Sequence, residues 1–310
     1  RCNAGIGTAY AGLSKSNKAI LYTTKALNCF KNIFGEKSID ISDCYYSFGS
    51  AYRSEGKYDE AVNNLLKALE IRREILGDQH SGLIMCYNSL GAAYRMQARY
   101  TEALEMHKRA LVIAKATYGD FHPQTADSYD DIGVAQIYLM MIGDATENLN
   151  KALEIRKKFY GENHANVATS YNNLGLLYKV EGNYEKALES YKKSVQIREN
   201  SLGENSTRTA TVYHNIAIIY RGMRRYTESL EYHRKALEIR KKNFGEFHID
   251  VARSYGSIAK VYAFQNLTEQ AQENYKTAYN IAKKILGDNH PETIKFREQL
   301  NKSRNDQILE

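Results

Sequence analysis

The 310 residues include no tryptophan, only two prolines and four cysteines, and no long uncharged apolar run. Each shortage excludes something. Two prolines and 20 glycines are too few for a loop-rich β protein or a proline-rich linker. The most apolar stretch, Ile132 to Ile142, is too short to span a bilayer and carries Gln136, so no transmembrane helix is expected. Cys2, Cys29, Cys44 and Cys86 form no CxxC pair and so lack zinc-site spacing. They read as small buried thiols in a reducing, intracellular compartment. The chain opens at Arg1 without a signal-peptide pattern and reads as a piece of something larger. What is present is 43% hydrophobic and 25% charged, with Ala, Leu, Lys, Glu, Arg and Tyr filling the periodic stretches, which points to an all-α chain.

Gly35, Gly77, Gly119, Gly161, Gly203, Gly245 and Gly287 each fall 42 residues after the last. An acid follows every one, and His80, His122, His164, His248 and His290 stand two residues beyond it, with Ser38 and Ser206 in the other copies. Between these marks each copy carries two stretches with apolar residues three and four apart. After Gly161 they are Val167, Tyr171, Leu174 and Tyr178, then Tyr184, Ala187, Leu188, Tyr191 and Val195. That is the period of two amphipathic helices per repeat. Gly182-Asn183 separates the pair, Gly56 and Gly143 are expected to do so in two other copies, and Ala98 and Arg224 weaken the break. Small residues hold fixed columns, such as Gly7, Gly49, Gly91, Gly133, Gly175, Ala217 and Ala259 in the first helix. A glycine inside a helix costs about 1 kcal/mol relative to alanine, so the column implies close helix approach that offsets it.

The pattern Tyr171, Leu174-Gly175, Tyr178, Tyr184, Ala187, Tyr191 and Ser194 resembles a tetratricopeptide repeat. Its 42-residue length, Gly119-Asp120-Phe121-His122-Pro123 and Ala236-Leu237-Glu238-Ile239-Arg240 are similar to the long-repeat subclass of kinesin light chains and nephrocystin-like proteins. The resemblance implies a right-handed superhelical α-solenoid of stacked helical hairpins. Seven repeats would fill residues 1–290, the first truncated, and a capping helix would occupy 291–310. It also implies that first helices line a concave groove. The inward columns are then Tyr46, Asn88, Asp130, Asn172, His214 and Gly256, beside Ser47, Ser89, Asp131, Asn173, Asn215 and Ser257. One turn on come Arg53, Arg95, Ile137, Lys179, Arg221 and Ala263, with Lys260 close by. Amides that donate and accept suit an extended peptide backbone, and the basic residues suit its carboxylates. The candidate binding residues are therefore Tyr46, Arg53, Asn88, Arg95, Asn172, Asn173, Lys179, His214, Asn215, Arg221 and Lys260. The partner expected is a protein or peptide of acidic or mixed character. Asn172, Asn173 and Asn215 resemble the groove asparagines of kinesin-light-chain repeats, whereas Ser47, Ser89, Asp131 and Ser257 depart from that pattern.

The fourth copy differs: Gln136 and Ile142 replace tyrosines, Leu139-Met140-Met141 fills the turn, and Asp127, Asp130 and Asp131 make its inner face acidic. Its turn reads either as an adaptable contact site or as drift in a repeat that still packs. Formal net charge is +7, and residues 203–244 hold nine basic against four acidic residues. The basic residues are interspersed with acids on helical faces, so nucleic acid is not the expected partner. No chemistry emerges. The linker histidines are one repeat apart and are expected to cap or pack on the next helix, His107 and His233 occupy a packing column, and Gly5 to Gly12 lacks phosphate-loop spacing. No cofactor, metal site, small-molecule substrate or catalytic residue is expected. Three roles follow: a cytoplasmic peptide-binding cargo adaptor or scaffold, a spacer in a cytoskeletal or ciliary assembly working by edges and convex face, or a sensor array for an effector enzyme.

Overall fold

The computed structural model describes residues 16–203 and 205–308; the glycine cluster at Gly5 to Gly12, Cys2 and the start of the first hairpin lie outside the described residues. Among the described residues there are fourteen α-helices and no strand. Two compact units divide the chain, Arg1–Phe159 and Tyr160–Glu310.

The first unit holds α1 (Ser16–Phe34), α2 (Ile39–Ser54), α3 (Tyr58–Leu76), α4 (Ile84–Met96), α5 (Tyr100–Tyr118), α6 (Pro123–Tyr138) and α7 (Ile142–Tyr160), whose last residue falls at the boundary. A short 3-10 turn, Ser81–Leu83, leads into α4. The second unit holds α8 (Ala165–Val180), α9 (Tyr184–Leu202), α10 (Thr207–Gly222), α11 (Tyr226–Phe244), α12 (Ile249–Phe264), α13 (Thr268–Leu286) and α14 (Pro291–Ile308). In each unit consecutive helices pack on one another, so a hairpin buries its apolar stripe within itself and against the next hairpin of the same unit.

The 42-residue mark has a mechanical reason in both units. Each linker glycine takes a positive φ, from +75° at Gly35 to +87° at Gly119, which ends the preceding helix. The linker histidine then opens the next one. Nδ1 of His122 accepts from the Gln124 N–H at 3.2 Å, and His164, His248 and His290 cap in the same way. The rings of His122, His164 and His248 also stack on Tyr118, Tyr160 and Phe244. The acid between them reaches back to the last turn of the helix just ended, as in Arg73–Asp78 and Lys115–Asp120.

The glycine column answers bulk on the second helix. A Cβ added to Gly49, Gly91, Gly133 or Gly175 would come within 2.4–2.7 Å of Leu65, His107, Leu149 or Tyr191 respectively. Inside each hairpin the turn residue is Gly56, Ala98, Met140, Gly182, Arg224 or Asn266, all at positive φ. Gly143 is therefore not the break in its copy. It lies in the first turn of α7, and Met140, three residues earlier, takes the left-handed conformation at +59°. Ala98 and Arg224 keep the break in place, since both adopt the same φ of +59°. At the C-terminal end α14 packs on α13, with Phe296 and Leu300 buried.

Candidate functional site

The expected binding residues fall on first helices of both units. Tyr46 and Arg53 lie on α2, Asn88 and Arg95 on α4, Asn172, Asn173 and Lys179 on α8, His214, Asn215 and Arg221 on α10, and Lys260 on α12. All eleven are partly exposed. Four members of the columns read as inward turn away from solvent: Asp130, Ser47, Gly256 and Ile137 are buried. Asp130 is drawn in by Arg156 of α7, whose guanidinium lies 3.4 Å from it and 2.7 Å from Asp127.

First helices meet side by side within each unit. In the first, the Tyr46 hydroxyl lies 2.9 Å from Ser89 Oγ. In the second, Asn215 donates to Asn172 at 3.0 Å and Asn172 donates to Asn173 at 3.2 Å. The asparagines thus form a short ladder, leaving fewer free amide groups for a ligand backbone than their spacing promised.

Charge distinguishes the second unit. Lys179, Arg221 and Lys260 project from three successive first helices, and among the described residues none has a carboxylate at ion-pair distance. Burial lowers the pKa of Lys179 and of Arg221, and lowers that of Lys260 together with repulsion from Lys295 and Arg221. These cations have lost water without gaining a counter-charge, and an anion placed among them meets a field less screened than in bulk solvent. Beside them a recess of about 610 Å³ is lined by Lys179, Tyr184, Arg221, Arg224 and Phe264. The Arg221 guanidinium lies 5.3 Å from the centre of the Phe264 ring, which is 61% exposed. A second hollow of about 770 Å³, walled by Glu199, Glu231, Arg234 and Lys235, has internal compensation: Lys235 pairs with Glu231 at 2.7 Å and Tyr213 bonds Glu199.

Sequence reasoning placed His233 correctly in a packing column but missed what surrounds it. It is 1% exposed, its ring centre lies 5.1 Å from that of His214, and neither of its nitrogens has a hydrogen-bond partner among the described residues. Burial, with His214, Arg221 and Arg240 nearby, pulls its pKa down to about 2, and burial with Arg240, Arg221, Lys179 and Lys260 pulls His214 to about 4. Arg198 and Arg240 were also missed. They occupy the repeat position of Arg72 and Arg156, yet Arg198 donates to Thr169 and Ser194 and Arg240 to Ser254. The readable signal was the partner column, in which Asp43 and Asp127 give way to Thr169 and Thr211.

The tetratricopeptide-repeat family profile matches residues 2–74, 40–116, 87–141, 135–200, 169–242 and 208–284. The chain belongs to the tetratricopeptide-repeat family. No curated protein sequence matches it. Among solved structures, this array is similar to the apo form of RapI, with 18% identity, TM-score 0.65, and 97% of this chain and 98% of that one covered. It is also similar to a Rap protein complexed with Competence and Sporulation Factor, with 12% identity, TM-score 0.60 and 98% and 97% coverage. A third similar structure is the set of nearly identical repeats of a putative kinesin light chain from Podosopora anserina, with 19% identity, TM-score 0.55 and 64% and 95% coverage. At these identities the likeness is one of fold. Tetratricopeptide arrays are in general non-catalytic protein-interaction scaffolds, and no helix of the described residues is long and apolar enough to cross a membrane.

Proposed function

We propose that this tetratricopeptide array is a peptide-binding adaptor or scaffold module of the kinesin-light-chain-like kind. It captures an acidic peptide segment on the first-helix face of its second unit. The observation that carries the reading is the trio Lys179, Arg221 and Lys260, partly desolvated and without carboxylate partners among the described residues, two of which, Lys179 and Arg221, line a recess that ends on exposed Phe264. A surface that had only to stay soluble would pair such charges or leave them fully hydrated, as the Lys151–Glu147 and Lys193–Glu189 pairs do elsewhere on the chain. Phe264 and Tyr184 add an apolar floor for a side chain next to the ligand's acid. The likeness to a Rap protein holding a bound factor supports a ligand-binding use of such an array.

The test is selection from a random-peptide display library on the purified chain, repeated on a Lys179→Glu, Lys260→Glu variant of unchanged helicity. Enrichment of Asp and Glu by the wild type, with at least a tenfold loss of affinity for the same peptides in the variant, is the expected result. Selected peptides without acidic residues, or equal binding to both proteins, overturn it.

A further inference from the structure

The 42-residue period superposes one part of the chain on another and supplies an internal reference for the second unit. Three periods separate Asn88 from His214, Arg95 from Arg221, His107 from His233 and Asp131 from Ser257. In the first unit these positions form a closed group. The His107 ring is buried against Gly91, its Nδ1 lies 3.4 Å from Asn88 Oδ1, and the Asp131 carboxylate on the next first helix comes to 3.8 Å from the same nitrogen. Burial, Asp130 and Asp127 raise the pKa of that carboxyl, and Arg95 pulls against them.

The second unit keeps the ring and the arginine but not the acid. His233 stands where His107 does, Arg221 where Arg95 does, and the residue on the next first helix is Ser257, whose hydroxyl turns back to the Arg253 carbonyl at 2.9 Å. Asn88 is replaced by His214, so the acceptor that His107 uses is also gone. Both nitrogens of His233 and Nδ1 of His214 are consequently left without a hydrogen-bond partner among the described residues. A neutral imidazole always carries one N–H donor, and an acid on the first-helix face is the group that completes this arrangement in the other unit.

We propose that the second unit contains a single-carboxylate socket, walled by His214, Arg221 and His233, in which an acidic side chain of the bound peptide takes the place that Asp131 fills in the first unit. The proposal rests on the peptide-binding reading above and narrows it to one position. The surroundings favour the anion more than in the first unit. Asp131 feels Asp130 and Asp127 as well as Arg95 and Arg156, whereas Lys179 of α8, Arg221 of α10, Arg240 of α11 and Lys260 of α12 all act on His214. An arriving carboxylate offsets part of that repulsion, and His214 then takes up a proton more readily. Affinity therefore rises as pH falls from neutrality toward the free-state value of His214, about 4, as long as the ligand acid stays ionised.

The probe is N-acetyl-glutamate α-amide, with N-acetyl-glutamine α-amide as the uncharged control, added to the full chain while the histidine ring resonances are followed by NMR at about pH 6 and about pH 7.5. The expected result is that the His214 and His233 signals move with the glutamate probe alone, and more tightly at the lower pH. Ser257→Asp should plug the socket and abolish the response, while Ser257→Asn, equal in size and uncharged, should keep it. Asp131→Ser should make His107 begin to respond. A wild-type chain whose His214 signal ignores the glutamate probe, or a Ser257→Asp chain that responds as the wild type does, overturns the socket. Peptides that bind the Ser257→Asp chain with unchanged affinity and acid preference sink the socket and leave the broader reading standing. A probe response without any selected peptide confirms a carboxylate site and removes the peptide-binding reading.

Discussion

In the first unit Arg72 and Arg156 reach from the second helix of a hairpin to carboxylates, Asp43 for one and Asp127 with Asp130 for the other. In the second unit Arg198 and Arg240, at the same repeat position, end on the hydroxyls of Thr169, Ser194 and Ser254. The first unit therefore neutralises its interior charge internally, and the second leaves a cationic surplus under a first-helix face that carries Lys179, Arg221 and Lys260. Both arrangements fold, because the apolar columns and the capped linkers are common to them. What differs is whether the electrostatic partner belongs to the chain or has to come from outside. A desolvation cost incurred during folding and left uncompensated becomes available to a ligand of opposite charge.

The sharpest way to break this comparison is to remove one arginine from each unit. Arg156 is 4% exposed, and although burial opposes its charge, Asp130 and Asp127 more than offset this and raise its pKa. Arg156→Met leaves those carboxylates facing each other without a counter-charge, and the expected loss is about 3–5 kcal/mol of unfolding free energy. Arg198 is equally buried, with its pKa pulled down to about 10 by burial and by Arg208. Arg198→Met deletes a charge with no carboxylate to strand, so its expected cost is within about 1 kcal/mol of zero. Urea titrations of the two variants at neutral pH measure the difference, and equal losses would mean that the two arginines are used alike.

The next effect concerns buried imidazoles, of which the first unit has His107 and the second the pair His214 and His233. All three have folded pKa values below the ordinary 6.5, with burial the leading cause. The unfolded chain binds their protons first, so stability is complete above about 6.5 and falls as pH drops from there toward the folded values. At about pH 5 each such histidine contributes a loss of up to ~2 kcal/mol. His233→Leu, which copies Leu65 and Leu149 of the same column, should flatten the pH dependence of the urea midpoint between about 6.5 and 5. A variant as acid-sensitive as the wild type would show that the ring is not held neutral.

Asp131 carries the opposite sign and a smaller effect. Burial first, then Asp130 and Asp127, push it up to about 7 against the pull of Arg95 and Arg156. Its folded pKa lies above the unfolded 3.8, so its contribution is greatest at low pH and declines as pH rises through 7. Because 45% of the side chain is open and water screens it, Asp131→Asn should stabilise by only ~1 kcal/mol at about pH 8, and by nothing at about pH 4.

These charge contrasts are also where sequence reading stops. Helix order, the capping histidines and the glycine that admits Tyr191 all follow from a period written in single positions. The columns of Lys179, Arg221 and Lys260 were readable for the same reason, since partly exposed side chains keep the helical period. Asp130 and Asp131 show the limit. Neighbours on a helix are about 100° apart, so a column index leaves open which of the two turns inward, and Arg156 on the following helix decides it. The neighbourhood of His233 depends likewise on Ser257 and His214, residues on other helices that are ordinary by themselves. Gly143 misleads because the turn belongs to a fixed repeat position, which Met140 fills, and not to whichever glycine lies nearby.

That turn position supplies the smallest prediction and the control for the rest. Ala98 in the first unit and Arg224 in the second both sit at φ +59°, where a Cβ crowds the backbone, and glycine holds the same place at Gly56 and Gly182. Relief of the left-handed strain favours Ala98→Gly and Arg224→Gly, while the greater freedom of glycine in the unfolded chain opposes them. The net gain expected is about 0.5 kcal/mol, and it should be equal in the two variants because the left-handed backbone is the same at both turns. Thermal melts of the pair measure it. If Arg224→Gly alone shifted the melt, the arginine side chain at the rim of the recess, and not the backbone, would be the source, and the second unit's surplus of positive charge would extend to its turn.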